Sequence, residues 1–383
     1  MNEYVPGLEG VPATKSNISN IDGDKGILSY RGYPIEVLAE RSTFEETALL
    51  LLDGQLPTRI ELKSFEAEMR ANRRVKFWIR ELMRRLPPDA HPMDMLQTVV
   101  ACLGMYYPGR DAKVFTNDRE YVHGVSVNLL ARLPTLIVMW EYIRNGYDPL
   151  EPRTDLTTAE NFLYMLKGQE PDRYLARILD ICLILHAEHT INASTFAVLV
   201  AGSTLASPYG VIASGISTLA GPLHGGANQE VLKMLQEIGS ADKAEAYIDD
   251  KLSKKEVIWG FGHREYNVKD PRAVILEHLM GKLIAYKEGR VGPLFSIAQA
   301  VEKVATDRLG AKGIYPNVDF YSGVLYQEMG IVPDQFPSIF AMARAAGWLA
   351  HWREQMRQNR IFRPTQVYTG EQSREYVPME RRR

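Results

Sequence analysis

The stretch Asp172-Arg-Tyr-Leu-Ala-Arg-Ile-Leu-Asp-Ile-Cys-Leu-Ile-Leu-His186 decides the fold class. Leu175, Ile178, Leu179, Cys182 and His186 recur at i, i+3, i+4 spacing, and Asp172 stands where an N-cap belongs. The stretch therefore reads as a helix with one apolar stripe. After Ala187-Glu188-His189 the chain enters its longest uncharged run, Thr190 to Gln229, which holds no Asp, Glu, Lys or Arg. A membrane span is one reading of that run. Asn192, Ser194, Thr195, Gly202, Ser203, Thr204, Ser207 and Pro208 interrupt it, so no clean apolar segment of about 18 residues exists. The run reads instead as helices buried on all sides, with small residues that let backbones approach closely.

Helix signals also dominate elsewhere. Ser42-Thr43-Phe44-Glu45 has capping-box form ahead of the apolar run Ala48 to Leu52, which ends at Gly54, and Thr58 with Glu61 repeats the device. Gly168, Gly239 and Gly281 stand where helices would stop. Pro87-Pro88, Pro149 and Pro152 punctuate the connections. Strand signals are scarce: Ile18 to Tyr30, turning at Asp22-Gly23, predicts one small hairpin. Without βαβ alternation a parallel sheet is disfavoured. No G-x-G-x-x-G or Walker A pattern, repeat or heptad run occurs, so the expectation is an all-α chain without those nucleotide loops.

Composition fits this reading. The 383 residues are 45% apolar and 24% charged, enough to bury a sizeable core without disulfides or metal. Lys plus Arg is 45 and Asp plus Glu is 47, a net charge of −2. That balance argues against nucleic-acid binding by bulk electrostatics. Two cysteines, Cys102 and Cys182, exclude a disulfide framework and a Cys-based zinc module, and they fit a reducing compartment. Met1-Asn2-Glu3-Tyr4-Val5-Pro6 shows no signal peptide, so a cytoplasmic protein is expected. Arg353, Arg357, Arg360, Arg374 and Arg381-Arg382-Arg383 make the C-terminus basic, and residues 371–383 read as a solvated tail.

Four windows break the helical pattern with Gly, Pro and reactive side chains. They are Gly221-Pro222-Leu223-His224-Gly225-Gly226-Ala227-Asn228, Gly260-Phe261-Gly262-His263-Arg264 followed by Asp270-Pro271-Arg272, Tyr315-Pro316-Asn317-Val318-Asp319-Phe320-Tyr321-Ser322-Gly323, and Arg360-Ile361-Phe362-Arg363-Pro364. Glycines around His224 open its ring to a ligand and let backbone N–H groups approach a cofactor. Asp319 sits among apolar and aromatic neighbours, which raises a carboxyl pKa. Arginines suit substrate carboxylates, which their fork matches bidentately. Two His beside one such Asp suit proton abstraction next to a carbonyl, or acyl transfer. No G-x-S-x-G elbow supports a serine hydrolase. In His186-Ala187-Glu188-His189, His186 falls on the apolar stripe as a core histidine and His189 lies one turn on, within reach of a cleft. A metal reading there lacks H-E-x-x-H spacing and a third ligand. His91, His123, His278 and His351 have no distinctive setting.

Taken in order, these windows resemble the citrate synthase family. So do Gly7-Leu8-Glu9-Gly10-Val11 and Tyr30-Arg31-Gly32-Tyr33, which look like its short, N-terminally compact branch, and the resemblance covers roughly residues 7 to 370. It implies an all-α, two-domain fold with at most a small N-terminal hairpin. Residues 1–224 and 325–383 would form the large domain and tail, and 225–324 a small mobile domain closing over the cleft. It implies a homodimer, with higher oligomers of dimers possible, whose interface takes in part of 190–229. The implied substrates are oxaloacetate and acetyl-CoA, with CoA as co-substrate and no tightly bound cofactor, metal, nucleic acid or membrane.

The implied roles are these. His189, Arg272 and Arg344 hold oxaloacetate, with Arg363 of the partner subunit. Asp319 takes the acetyl methyl proton, His224 donates to the thioester oxygen, and His263 polarises the ketone. Gly221, Leu223, Gly260 and Gly262 line the CoA site. Glu265 and Asn267 depart from the family pattern of an apolar residue and a base. Lys269 or Lys312 would then serve the CoA phosphates, with weaker CoA binding expected. The short N-terminus implies no NADH-responsive control. A 2-methylcitrate synthase using propionyl-CoA would use the same residues, and a non-catalytic helical scaffold is the alternative from another class.

Overall fold

Some helices start where a short polar side chain caps them, as at Thr58 and Asp172, and some stop where the backbone turns left-handed, as at Gly54 and Gly168. The computed structural model describes residues 4–107 and 118–382; Met1-Asn2-Glu3 and Arg383 lie outside the described residues. The described chain is mainly α-helical, with one small sheet, as the sequence predicts. Strands β1 (Ser19–Asp22), β2 (Ile27–Tyr30) and β3 (Tyr33–Pro34) pair antiparallel in that order. The hairpin is present, but residues 23–26 form its turn rather than Asp22-Gly23. Asp22 closes β1 and its carboxylate accepts from the Lys25 N–H at 3.1 Å.

The first helices are α1 (Ile35–Arg41), α2 (Phe44–Asp53), α3 (Arg59–Ala71), α4 (Phe77–Arg84), α5 (Pro92–Tyr106) and α6 (Arg119–Arg144). The Thr58–Glu61 capping box forms at α3. At α2 the expected box is displaced by one residue: Thr43, not Ser42, accepts from Glu46 N–H. The reason is local. The Ser42 N–H bonds to Leu38 O and closes α1, and its hydroxyl donates to the Glu46 carboxylate at 2.7 Å instead of capping the helix. Helix α6 has 26 residues and is long and apolar enough to cross a membrane, yet 78% of its apolar window is buried inside the chain. It is a core helix.

The chain continues with α7 (Thr158–Lys167), α8 (Arg173–His186), α9 (Ala193–Ser203) and α10 (Pro208–Leu219). Asp172 caps α8, accepting from Tyr174 and Leu175 N–H. Gly168 and Gly239 end their helices in left-handed conformation. The uncharged run forms α9 and α10, which pack closely because they are small-sided: a Cβ on Gly215 would lie 2.7 Å from Val198 and 3.1 Å from Trp348. They are not buried on all sides. Phe196, Ala197, Val200 and Ala201 are half-buried, and Gly210 and Ser217 are exposed. Within one chain this pair keeps an uncharged outer face.

The last helices are α11 (Ala227–Ile238), α12 (Ala244–Ser253), α13 (Pro271–Tyr286), α14 (Leu294–Leu309), α15 (Val318–Glu328) and α16 (Phe336–Arg357). Gly281 does not stop a helix. It lies inside α13, between buried Met280 and Leu283 that continue the core stripe. Helices α11 and α13 pack on α15, and α12 on α14. Helix α15 runs to Glu328, so a boundary at 324 would cut it. Beyond α16 the chain is extended and exposed, apart from a short helical turn at Met379–Arg381.

Candidate active site

Two of the windows are joined by backbone pairing. Gly262 N–H donates to Tyr315 O and Asn317 N–H to Gly260 O, both at 2.9 Å, and Phe261 bridges Pro316. Asp270 N–H donates to Pro316 O at 3.2 Å. This ties the segment bearing His263 and Arg272 to the N-terminus of α15, where Asp319 sits. The Gly262 amide is thereby used within the protein. The Gly221 amide is likewise spent on Thr218 O.

Asp319 is buried and its Oδ1 has no hydrogen-bond partner among the described residues. Burial pushes its carboxyl up to about 7, with Arg272 and Arg344 opposing less strongly. A carboxylate so isolated, poised near neutrality, has the properties of a general base.

The two cations are fixed differently. Arg272 is buried, and its Nε and Nη2 donate to the two oxygens of Asp270 at 3.0 and 2.7 Å. Burial opposes its charge, but Asp270 more than offsets that. Arg344, on α16, is 1% exposed. Its Nε donates to His186 O at 2.8 Å and its guanidinium lies 4.8 Å from the Phe340 ring centre. No carboxylate pairs with it among the described residues, and burial lowers its pKa to about 10. A buried arginine without a carboxylate partner creates a site that favours an anion.

Three histidines complete the group, all held neutral. His189 is buried, its ring lies 5.0 Å from that of His263, and its Nε2 lies 3.1 Å from the Tyr266 hydroxyl. Burial, then Arg272, lowers its pKa well below the usual value. His263 and His224 are each lowered to about 4, chiefly by burial. Nδ1 of His263 accepts the Glu265 N–H at 2.9 Å, so its proton is assigned to Nε2, which is then a donor. Nε2 of His224 lies 2.9 Å from Ser194 Oγ and 3.4 Å from the Ser194 backbone nitrogen. His186 is a core histidine as expected, its Nδ1 2.7 Å from Cys182 O.

Ligand atoms of His189, His263 and Asp270 lie within 4.8 Å of one another, a spacing that can hold a metal ion. Arg272 already occupies both oxygens of Asp270, and Arg344 adds a second positive charge. The local field thus favours an anion over a cation.

The remaining expected residues have other surroundings. Leu223 is 99% exposed beside His224. Lys269 is paired with Glu277 and Glu302 at 2.7 and 2.5 Å, so it is not a free cation for phosphate. Lys312 is exposed and makes no salt bridge among the described residues. Asn267 is bound to Asp24 at 2.8 Å. Arg363 is exposed in the extended C-terminal segment, donating to Pro364 O at 3.1 Å. Sequence reasoning missed Tyr266 and Ser194, which hold His189 and His224. Their only signal was proximity, Tyr266 three places after His263 and Ser194 within the uncharged run.

Comparison with known proteins gives a consistent picture. Residues 7–365 match the family described as citrate synthase, C-terminal domain. A curated citrate synthase from Acidithiobacillus ferridurans is 59% identical over 99% of this chain and 98% of its own length. One from Synechocystis is 52% identical over 99% and 94%. Among solved structures, a citrate synthase from Thermoplasma acidophilum is similar in fold, with a TM-score of 0.93 and 31% identity over 99% of this chain and 100% of that one. That protein was solved with carboxymethyl coenzyme A and oxaloacetate. The chain belongs to the citrate synthase family.

Proposed function

We propose that this site condenses acetyl-CoA with oxaloacetate through an enol and then hydrolyses citryl-CoA to citrate and CoA. Membership of the family makes the chain an enzyme, a condensing acyltransferase. The observation that carries the assignment of roles is Asp319, an unpartnered buried carboxyl that feels the charges of two buried arginines, Arg272 and Arg344. Oxaloacetate is a dianion, and Arg272, Arg344 and His189 offer it charge and donors where water is scarce. Arg363 of the partner subunit supplies a further cation. Asp319 takes the acetyl methyl proton, and the His224 imidazole donates to the thioester oxygen as the enol forms. Oriented donation of this kind contributes ~3–4 kcal/mol. Nε2–H of His263 polarises the ketone and protonates the new alkoxide. Acetyl-CoA and CoA are substrate and product, and no resident cofactor takes part.

The small domain is formed by helices α11 to α15 and closes over bound oxaloacetate, expelling water. Its boundary falls after Glu328, at the end of α15. The working unit is a homodimer. The uncharged outer face of α9 and α10 supports this, as does the exposed C-terminal segment that carries Arg363. Two free thiols, Cys102 and Cys182, support a reducing, cytoplasmic setting. Arg363→Ala should raise KM for oxaloacetate, and mixed dimers with an Asp319→Asn chain should regain activity. Failure of mixing to restore turnover would count against a shared site.

Thiol release with oxaloacetate plus acetyl-CoA or propionyl-CoA tests the function. The expected result is a higher kcat/KM with acetyl-CoA. A preference for propionyl-CoA would move the assignment to 2-methylcitrate synthase, since one methylene shifts discrimination by only ~1–3 kcal/mol. No release from either, in folded protein, would leave a helical scaffold.

A further inference from the structure

His189 sits in the turn between α8 and α9, and the next residue, Thr190, has φ +51°. A β-branched residue in left-handed conformation is strained and persists only where its surroundings hold it. The N-terminal hairpin supplies that hold on both sides. Before His189, the Tyr30 hydroxyl donates to Glu188 O at 2.8 Å and accepts from Glu188 N–H at 3.2 Å. After His189, Thr190 N–H donates to Ser19 Oγ at 3.1 Å, and that hydroxyl donates to Glu188 Oε1 at 2.9 Å. Ser19 and Tyr30 are direct partners across the β1–β2 ladder, so the ladder fixes the distance between the two grips. His351 holds Glu188 Oε1 from α16 at 3.0 Å, with both side chains buried.

The other end of the hairpin grips the loop that faces His189. Asn267 donates its N–H to Gly23 O at 3.1 Å and its Nδ2 to Asp24 Oδ1 at 2.8 Å. A Cβ on Gly23 would lie 1.6 Å from Glu265 O, so only glycine permits this approach. The loop bears His263, and also Tyr266, whose hydroxyl meets the His189 ring. One rigid hairpin therefore bears on both partners of the His189–Tyr266 contact.

We propose that Ser19 and Tyr30 are positioning residues that set the His189 imidazole for substrate. The inference rests on the reading of His189 as an oxaloacetate ligand. Neither residue is a catalytic residue in this scheme; each acts through the peptide groups flanking His189.

The test compares Ser19→Ala, Ser19→Thr, Tyr30→Phe and His189→Ala in the full chain. Oxaloacetate Kd is read by calorimetry, and kcat and both KM values by thiol release. Losing one grip should raise oxaloacetate Kd and KM about five- to tenfold. KM for acetyl-CoA at saturating oxaloacetate should stay within about twofold, and Ser19→Thr, which keeps the hydroxyl, should restore binding. If His189→Ala binds oxaloacetate normally, the ligand reading itself is wrong. If His189→Ala weakens binding but Tyr30→Phe and Ser19→Ala do not, the positioning role is overturned. Should Ser19→Ala fail to fold, Tyr30→Phe decides by the same readout. A fall in kcat with both KM values unchanged would likewise reduce the hairpin to a structural element.

Discussion

Asp319→Asn is expected to lose condensation by about 10²- to 10⁴-fold, the usual contribution of a general base. Oxaloacetate binding should persist, because Arg272, Arg344 and His189 are untouched. Asparagine keeps the shape of the side chain and needs no ionisation, so folding is not at risk. Thiol release and calorimetry on the same preparation separate the two effects, and near-normal turnover would sink the assignment of Asp319. The pH profile adds a check. With its carboxyl raised to about 7, Asp319 is neutral below that pH and can accept a proton only above it. In the unmodified chain kcat/KM for acetyl-CoA should therefore rise with pH and level off above about 7. His224 and His263, lowered to about 4, stay neutral throughout and contribute no limb there. The residual activity of the Asn variant should be flat across that range.

The second large effect is on stability. Arg272 and Asp270 are buried together, and Arg272→Gln leaves the Asp270 carboxylate with the residue 272 N–H but without its charge partner. Breaking a buried pair from one side costs about 3–5 kcal/mol. Urea unfolding should show a loss of that size. The double variant Asp270→Asn, Arg272→Gln removes the stranded charge and should recover more than half of it. Equal losses in single and double variants would assign the cost to packing instead. Neither variant should bind oxaloacetate well, since both lack the Arg272 cation.

Much of this site was legible because its reactive residues stand in Gly- and Pro-rich windows that interrupt helical periodicity. His224, His263 and Asp319 could be picked out one by one. Their convergence could not, because it depends on Gly262 pairing with the segment around Asn317, 55 positions on, a register no local pattern encodes. Lys269 looked like a free cation until the fold set Glu277 and Glu302 around it. Tyr266 drew no notice and Ser194 stood out only as a polar break in the uncharged run, since a hydroxyl's partner is invisible in sequence. Local chemistry also misled where two elements compete for one residue. Ser42 closes α1 while its neighbour Thr43 caps α2, and Gly281 is carried through α13 by the buried residues on either side.

The grip on His189 also bears on the order in which the chain becomes itself. Helices close through contacts a few positions apart, but Tyr30 and Glu188 are 158 positions apart, and Asp24 and Asn267 are 243 apart. Loop-closure entropy must be met before such pairings contribute, so they form late. On refolding, helical signal should return ahead of turnover, and a chain can regain nearly all its helix while its substrate site is still unmade.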